Sequence, residues 1–249
     1  MSVSYPSLPQ DAQTELLRRL CIRAAELREG PRTPVAVFDL DGTLMDNRPR
    51  SVAIFRELAD AWMHRHPEEA RAIRKSRPDE LAYAVTDSLT RLGVRTSELL
   101  EEATSFWKER FFRDAYLVHD IAIAGAPAFV HELYRAGANI VYLTGRDLPL
   151  MGLGSWTSLR DLGFPIGVVG TELVCKPDAA IHDETYKRDI APALARVGEV
   201  FAAFDNEPGN CNVFRRQFPS CASVLLDTQH ASGAPPIDDG VLCIKDFRM

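Results

Sequence analysis

An α/β protein, with a parallel sheet flanked by helices and an inserted all-helical unit, is predicted by two patterns in this 249-residue sequence. Short apolar segments alternate with amphipathic helical segments along most of the chain, as in sheets built from strand–helix–strand units. About a hundred residues separate the first two strand candidates, whereas a single crossover helix needs far fewer. The surplus indicates a helical insertion at this point.

Individual elements follow from apolar periodicity and from Gly and Pro breaks. Buried strands are predicted at 35–38, 139–143, 171–175, 200–204 and 223–226, with a further short apolar run at 241–244. Helices are predicted at 11–29, 126–136, between 149 and 163, and from near 187 to 197. The pattern from 48 to about 116 is helical throughout. The count of parallel strands is therefore five.

Two aspartates follow the first predicted strand, one residue apart. Asp39 and Asp41 come directly after Val35–Phe38, and Gly42 then allows a sharp turn. Open parallel sheets bind their ligands beyond the carboxyl ends of the strands. Two neighbouring carboxylates repel each other unless a cation or a shared proton intervenes. The pattern therefore indicates a Mg²⁺ site in which one aspartate attacks and the other transfers protons.

A calcium loop is the main alternative for Asp-x-Asp-Gly. A loop of the EF-hand type needs further oxygen ligands and a closing Glu across about twelve residues. Here Asn47 is followed by Arg48-Pro49-Arg50, and no such Glu arrives. The segment also follows a strand, whereas an EF-hand loop follows a helix. The catalytic interpretation is favoured.

The run Asp39-Leu40-Asp41-Gly42-Thr43 resembles the first motif of the haloacid dehalogenase superfamily, whose members are mostly Mg²⁺-dependent phosphatases. The resemblance implies a Rossmann-like sheet with three more motifs in fixed order: a strand-end Thr or Ser, a Lys, and one or two acids. Thr144, after the 139–143 strand, matches the second motif, and its hydroxyl suits a phosphate oxygen. Asp205, after the 200–204 strand, matches the last motif as a metal ligand.

Two lysines compete for the third motif. Lys176 directly follows the 171–175 strand, and Lys187 opens the next predicted helix. The family's lysine usually starts the helix before the last catalytic strand, which favours Lys187 and leaves Lys176 as the alternative. Its implied role is to keep the attacking carboxylate ionised and to screen phosphoryl charge. Arg146 is interpreted as a partner of Asp147 rather than as a binder of a second substrate anion.

The last motif departs from the family pattern. A second acid often follows the first, either next to it or four to five residues later, but Asn206 and Asn210 stand at such places here. Mg²⁺ keeps several waters and needs few protein carboxylates. The implied metal ligands are Asp39, the main-chain carbonyl of Asp41, and Asp205. Either Glu207 or Asn210 is expected to hold a metal-bound water.

The helical pattern before the first strand and the resemblance together divide the chain into three units. They are an N-terminal helical extension (1–34), a Rossmann-like catalytic core (35–46 and 119–249), and a helical cap (47–118) that closes over small substrates. Trp62, Phe106 and Trp107 are interpreted as helix core rather than as a substrate platform.

The implied reaction is hydrolysis of a phosphomonoester on a small phosphorylated metabolite. Asp39 attacks phosphorus and becomes an aspartyl phosphate, while Asp41 protonates the leaving oxygen and then activates water. A phosphomutase with the same residues and a non-catalytic binding protein on the same fold are the alternatives. The complete pair Asp39/Asp41 argues against the second alternative, and only the missing acid after Asp205 favours it.

Composition narrows the possible partners and location. The net charge is −6 with no basic run interleaved with aromatic residues, which argues against a nucleic-acid binder. No apolar stretch reaches the roughly 18 residues of a membrane span, and the N-terminus lacks signal-peptide features. A cytoplasmic protein is expected, and its five scattered cysteines are expected to be reduced thiols. The sequence makes no prediction of oligomeric state.

Overall fold

The structure, a computed structural model, describes residues 5–249. The strands are β1 (Pro34–Phe38), β2 (Met45–Asp46), β3 (Ile121–Ala122), β4 (Asn139–Asp147), β5 (Thr171–Lys176), β6 (Glu199–Asp205), β7 (Ala222–Leu226) and β8 (Leu242–Ile244). The α-helices are α1 (Gln10–Arg28), α2 (Arg48–Trp62), α3 (Pro67–Arg74), α4 (Val85–Arg91), α5 (Ser97–Phe111), α6 (Ala126–Arg135), α7 (Leu148–Asp161), α8 (Asp183–Leu194) and α9 (Pro208–Gln217). Short 3₁₀-helices lie at Pro78–Glu80 and Asp114–His119.

A parallel sheet flanked by helices confirms the predicted fold class. Its strand order over the described residues is β5-β4-β1-β6-β7-β8, and every neighbouring pair is parallel. The predicted count of five strands is wrong because the apolar run at 241–244 adds β8 at one edge. Only three residues of that run pair with β7, too few for a periodicity signal. Strand β4 also continues to Asp147, with an irregular register between Thr144 and Asp147.

Both faces of the sheet are buried, as expected of parallel strands covered by helices. Ala36 and Phe38 point to one hydrophobic cluster, which includes Leu17 of α1 and Phe129 of α6. Val35 and Val37 point to a second cluster on the opposite face. Strand β1 is therefore buried along its whole length, which explains its continuous apolar run.

An aromatic stack joins the two central strands next to their carboxyl ends. Phe38 and Phe204 are register partners of β1 and β6, and their rings stack with centroids 4.8 Å apart and planes within 7°. Asp39 and Asp205 are the next residues along the two strands. The stack therefore holds Asp39 and Asp205 side by side at the carboxyl ends of β1 and β6.

Residues 47–118, here called the helical segment, have a hydrophobic cluster of their own. Its buried members are Val52, Phe55, Leu58, Ala59, Trp62, Ala70, Ile73, Leu81, Leu89, Val94 and Ala103. Phe106 and Trp107 pack against this cluster while half-buried. The division into core and cap remains a prediction, and this separate cluster supports it.

The two chain connections to the helical segment pair with each other. Strand β2 enters the segment, strand β3 leaves it, and Asp46 and Ile121 are antiparallel partners. We use the name neck for β2, β3 and the residues next to them in the chain, which include Arg50 after β2 and Asp120 before β3. The neck holds the start and the end of the helical segment together beside the carboxyl edge of the main sheet.

Helix α1 packs on the main core through Leu17, Leu20 and Ala24. It belongs to the predicted N-terminal extension, whose residues 1–4 lie outside the described part of the chain. From residue 5 onward, no helix combines the length and apolar character that a membrane crossing requires.

Replacing Phe204 by Ala tests the aromatic stack. Loss of the fully buried ring should lower the free energy of unfolding by about 3–5 kcal/mol. Urea denaturation followed by circular dichroism measures this value. The control is Val169→Ala, since Val169 is 95% exposed and its loss should change stability by less than about 0.5 kcal/mol. Equal values for the two variants would contradict the assigned role of the stack.

Candidate active site

A cavity of 1210 Å³ lies at the carboxyl edge of the main sheet, facing the helical segment. The chain proceeds from β1 to β4 and β5 on one side and then returns to β6 on the other side. Ligands of open α/β sheets bind at such a change of direction. The predicted residues that line the cavity are Asp39, Asp41, Thr144, Lys187 and Asp205. Apolar lining residues from the helical segment include Phe55, Leu81, Tyr83, Trp107, Phe111 and Phe112.

A tight turn after β1 presents Asp39 and Asp41 to the cavity. Gly42 has φ +78°, and a Cβ atom there would lie 2.5 Å from Nδ2 of Asn206. Glycine is therefore required both by the backbone conformation and by the close approach of Asn206. The Asp39 amide donates to the Phe204 carbonyl over 3.0 Å, which ties the turn to β6.

One ammonium group bridges the carboxylates of β1 and β6. Nζ of Lys187 donates to Oδ1 of Asp39 over 2.6 Å and to Oδ2 of Asp205 over 2.7 Å. All three side chains are buried. Helix α8 supplies the lysine from its second turn, whereas the sequence predicted it at the helix start.

This charge arrangement perturbs two pKa values. Burial raises the pKa of Asp39. The Lys187 ammonium opposes this effect, while the nearby Asp205 carboxylate adds to it, so that the pKa of Asp39 is about 7. Burial lowers the pKa of Lys187, but the two carboxylates outweigh burial and hold it above its usual range. The lysine is thus kept charged, and one positive charge serves two carboxylates.

The alternative lysine lies elsewhere on the cavity wall. Nζ of Lys176 donates to Oδ1 of Asp183 over 2.6 Å, and the Asp183 side chain is 59% exposed. The structure thus brings Lys187, rather than Lys176, to the predicted carboxylates.

The two threonines of the motif segments are both buried. The Thr43 hydroxyl lies 3.2 Å from both Oδ2 of Asp39 and Oδ1 of Asn206, and these two oxygens share its single proton. The Thr144 hydroxyl accepts a hydrogen bond from the Arg146 amide over 3.2 Å. Thr43 therefore orients Asp39 from the side opposite Lys187, a contact that the sequence analysis did not single out.

The donor set around Asp205 fits Mg²⁺. When both carboxylates are ionised, Asp39, Asp205 and Lys187 carry two negative charges and one positive charge, so one buried negative charge is in excess. Oδ1 of Asn210 is buried without a hydrogen-bond partner, while its Nδ2 donates to Oδ1 of Asp205 over 3.1 Å. Within residues 5–249, no three His, Cys, Asp or Glu side chains converge as a metal-binding group. Two carboxylates with bound waters are sufficient for Mg²⁺, which keeps several waters.

Two other polar side chains that follow Asp205, those of Asn206 and Glu207, are already engaged. Nδ2 of Asn206 donates to the Gln229 carbonyl over 2.5 Å. Oε2 of Glu207 accepts from the Ala231 amide over 3.3 Å. The buried, unpartnered oxygen of Asn210 thus distinguishes it as the best-placed holder of a metal-bound water.

Asp41 is held by two arginines. Oδ2 accepts from Nε of Arg146 over 2.7 Å, and Oδ1 accepts from Nη2 of Arg146 and Nη2 of Arg50, each over 2.8 Å. Nδ2 of Asn47 also donates to Oδ1, over 3.1 Å. Burial raises the pKa of Asp41, but Arg146, Arg50 and Asn47 outweigh it and hold the pKa well below its usual range.

The interpretation of Arg146 as a partner of Asp147 is wrong. Both Arg146 and Arg50 pair with Asp120 in addition to Asp41, through contacts of 2.5–2.8 Å. Oδ1 of Asp147 instead accepts from the Leu150 amide over 3.0 Å and caps α7. A capping contact of this kind competes with pairing to the preceding residue.

Arg50 and Asp120 are site residues that the sequence does not indicate. Arg50 is fully buried at the start of α2, and Asp120 is buried directly before β3. Seventy positions separate them along the chain, so no local spacing points to their contact. A single Arg in an amphipathic helix is normally interpreted as solvent-exposed.

Comparison with known families adds an independent observation. The sequence model described as hydrolase, haloacid dehalogenase-like hydrolase, matches residues 33–197. The match covers more than half of the chain and includes Asp39, Asp41, Thr144 and Lys187, but ends before Asp205. No curated protein sequence matches the chain.

Two solved structures are similar in fold. A Clostridium difficile protein provisionally assigned as a phosphatase is 12% identical, with 85% of this chain and 94% of that chain covered at a TM-score of 0.57. Protein Tyrosine Kinase A of Mycobacterium tuberculosis is 17% identical, with 86% and 94% covered at a TM-score of 0.51. At these identities the likeness concerns the fold alone.

Replacing Asp120 by Ala should destabilise the protein strongly. Two buried guanidinium groups would lose a shared partner, and breaking a buried ion pair lowers the free energy of unfolding by about 3–5 kcal/mol. Urea denaturation measures the change. The control is Asp161→Ala, which removes an ion pair that is more than half exposed and should leave stability close to wild type. Similar stability of the two variants would contradict the assigned burial of the network.

Proposed function

Because the chain belongs to the haloacid dehalogenase-like hydrolases, we propose that it is a Mg²⁺-dependent phosphomonoester hydrolase that acts through an aspartyl phosphate on a small phosphorylated metabolite. The observation that carries the proposal is the Lys187 bridge to Asp39 and Asp205 over 2.6 and 2.7 Å. Asp41 and Thr144 line the same cavity. A nucleophile, a proton-transfer group and a phosphate ligand are then available at one place.

Asp39 is the proposed nucleophile. Thr43 binds Oδ2 and Lys187 binds Oδ1, so the carboxylate is fixed at both oxygens beside the cavity. The Lys187 ammonium opposes the effect of burial on the Asp39 pKa and so favours the ionised carboxylate, which is the form that attacks phosphorus. The attack displaces the leaving oxygen and creates an acyl phosphate on Asp39.

Lys187 and Thr144 are proposed to bind the phosphoryl group. A fixed ammonium beside the nucleophile compensates the charge of the transferred group in a buried site, where such interactions are strong. The Thr144 hydroxyl is buried at the cavity wall and already accepts from the Arg146 amide, so its own proton is available for a phosphate oxygen.

Asp41 is the proposed proton-transfer group. It protonates the leaving oxygen and later takes a proton from the water that hydrolyses the aspartyl phosphate. Its arginine partners favour the ionised form, which the second step requires, and oppose the protonated form, which the first step requires. Aryl phosphates, whose leaving oxygen needs little protonation, are therefore the first substrates to test.

Asp39, Asp205 and the main-chain carbonyl of Asp41 would hold Mg²⁺, with Asn210 holding a bound water. When bound, Mg²⁺ neutralises phosphate charge during transfer. The excess negative charge of the Asp39–Lys187–Asp205 cluster and the unpartnered Asn210 oxygen support this proposal.

The helical segment is proposed to act as a cap over the cavity. Its aromatic residues Trp107, Phe111 and Phe112 line the same cavity as the carboxylates. Such a cover excludes water from the reacting groups and contacts the part of the substrate that is not phosphate. A cavity of 1210 Å³ has room for a small phosphorylated substrate.

The first test is hydrolysis of 4-nitrophenyl phosphate by purified protein, with release of inorganic phosphate as the readout. We expect turnover with Mg²⁺, none with a chelator, and none for Asp39→Asn, since that variant lacks the nucleophilic carboxylate. Released phosphate separates hydrolysis from a mutase reaction, which retains the phosphoryl group.

The lysines provide the matched control. Lys187→Met should lower kcat by about 100-fold or more because a charge-stabilising group is lost. Lys176→Met should stay close to wild type, since its partner is Asp183. Absence of turnover, together with failure of Mg²⁺ and beryllium fluoride to bind as an aspartyl-phosphate mimic, would overturn the proposal in favour of a non-catalytic protein.

Asn210 offers a test of the metal site. Asn210→Ala removes the buried oxygen expected to hold a metal-bound water and should weaken Mg²⁺ binding by about 10-fold or more. Isothermal titration calorimetry measures the affinity directly. The control is Asn212→Ala, a buried neighbour on α9 whose side chain bonds the main chain of 236 and 238. Unchanged affinity for Asn210→Ala would exclude Asn210 from the metal site.

A further inference from the structure

Four charged side chains form a closed network at the neck. Arg50 and Arg146 each bind both Asp41 and Asp120, so every arginine contacts every aspartate. Arg50, Arg146 and Asp120 are nearly inaccessible, with side-chain exposures of 0%, 1% and 0%. Asp41, which is 28% exposed, and Arg146 both line the cavity, whereas Arg50 and Asp120 lie behind them. Two positive and two negative charges balance, so the network needs no further ion.

The network joins parts of the chain that are far apart. Asp41 follows β1, Arg146 lies in β4, Arg50 starts α2 of the helical segment, and Asp120 precedes β3. Arg50 and Asp120 thus come from the two sides of the neck. The core alone supplies only one of the two arginines that bind Asp41.

The hydrogen bonds distinguish the two oxygens of Asp41. Oδ1 accepts three bonds, from Arg146, Arg50 and Asn47. Among the described residues, Oδ2 accepts one, from Nε of Arg146. A carboxylate oxygen has two lone pairs, so Oδ2 retains room for a proton while Oδ1 does not.

We propose that Arg50 and Arg146, braced by Asp120, are positioning residues that hold Asp41 with Oδ2 toward the cavity as the proton acceptor in hydrolysis of the phosphoenzyme. This inference rests on the proposed function. In that step a water proton passes to Oδ2 of Asp41 and the water oxygen bonds to phosphorus. The bond between phosphorus and the Asp39 carboxylate breaks, and its electron pair returns to Asp39.

The neck therefore takes part in catalysis through Asp41. The two hydrogen bonds from the planar guanidinium of Arg146 set the plane of the Asp41 carboxylate. The bond from Arg50 prevents rotation of Oδ1 out of that plane. Nη2 of Arg50 bonds both Asp41 and Asp120, a pair of contacts that a single ammonium at the end of a flexible chain does not reproduce. Asp41 is correctly oriented only when both sides of the neck are in place.

Rapid-mixing kinetics of Arg50→Lys with 4-nitrophenyl phosphate and Mg²⁺ tests the proposal. The variant keeps the charge but loses the fork, so phosphorylation of Asp39 should persist while water activation slows. We expect a burst of nitrophenolate near one per active site, followed by a steady rate at least about 10-fold below wild type. Acid-quenched samples should contain phosphoenzyme by mass spectrometry. Asp120→Asn should show the same pattern because Arg50 loses the carboxylate that holds its guanidinium in place.

A merely structural role gives a different result. Partial unfolding would lower burst and steady rate in the same proportion without phosphoenzyme accumulation, and that outcome overturns the proposal. The matched control is Arg110→Lys, another arginine of the helical segment, which pairs with Glu57 and covers the Phe106 ring. It should show wild-type burst and steady rates.

A crystal structure of Arg50→Lys separates this inference from the proposed function. Rotation of the Asp41 carboxylate away from the arrangement described above supports the positioning role. An unchanged carboxylate, with both bonds from Arg146 retained, overturns it whatever the activity. If the wild-type protein forms no phosphoenzyme and releases no nitrophenolate, the proposed function itself fails.

Discussion

Two buried carboxylates share one buried ammonium group, and the rest of the site depends on this arrangement. A carboxylate removed from water without a partner is unfavourable by several kcal/mol, a free energy comparable to the total stability of a domain. Lys187 meets this requirement for Asp39 and Asp205 only if β1, β6 and α8 keep their relative positions. Strand pairing and the Phe38–Phe204 stack hold the two strands in place.

The two charged clusters of the cavity differ in net charge, and this difference separates their roles. Asp39, Asp205 and Lys187 leave one negative charge uncompensated, which is the property of a site that takes up a cation. The cluster of Arg50, Arg146, Asp41 and Asp120 is neutral and has most of its hydrogen-bonding capacity engaged. A satisfied buried network of this kind favours one geometry over others. The first cluster is thus suited to taking up a cation, and the second to fixing the orientation of Asp41.

Local patterns account for the predictions that succeeded. A short apolar run predicts each central strand because both faces of the sheet are buried. Asp39 and Asp205 directly follow such runs, so their position at one sheet edge can be inferred without the structure. Strand β8 cannot be predicted in this way because its three residues are too few to show periodicity. The sequence does not decide which lysine contacts the carboxylates, since Lys176 and Lys187 both lie close to a predicted strand end. Only three-dimensional distances distinguish them.

The sequence by itself determined the α/β class, the helical segment, and the turn that presents Asp39 and Asp41. These features depend on residues close together in the chain. Tertiary structure alone decided the strand order, the partner of Arg146, and the network at the neck. Arg146 and Asp41 are 105 positions apart, and Arg50 and Asp120 are 70 apart. Ion pairs over such separations leave no periodic trace in the sequence, because they form only after the sheet has brought distant segments to one edge.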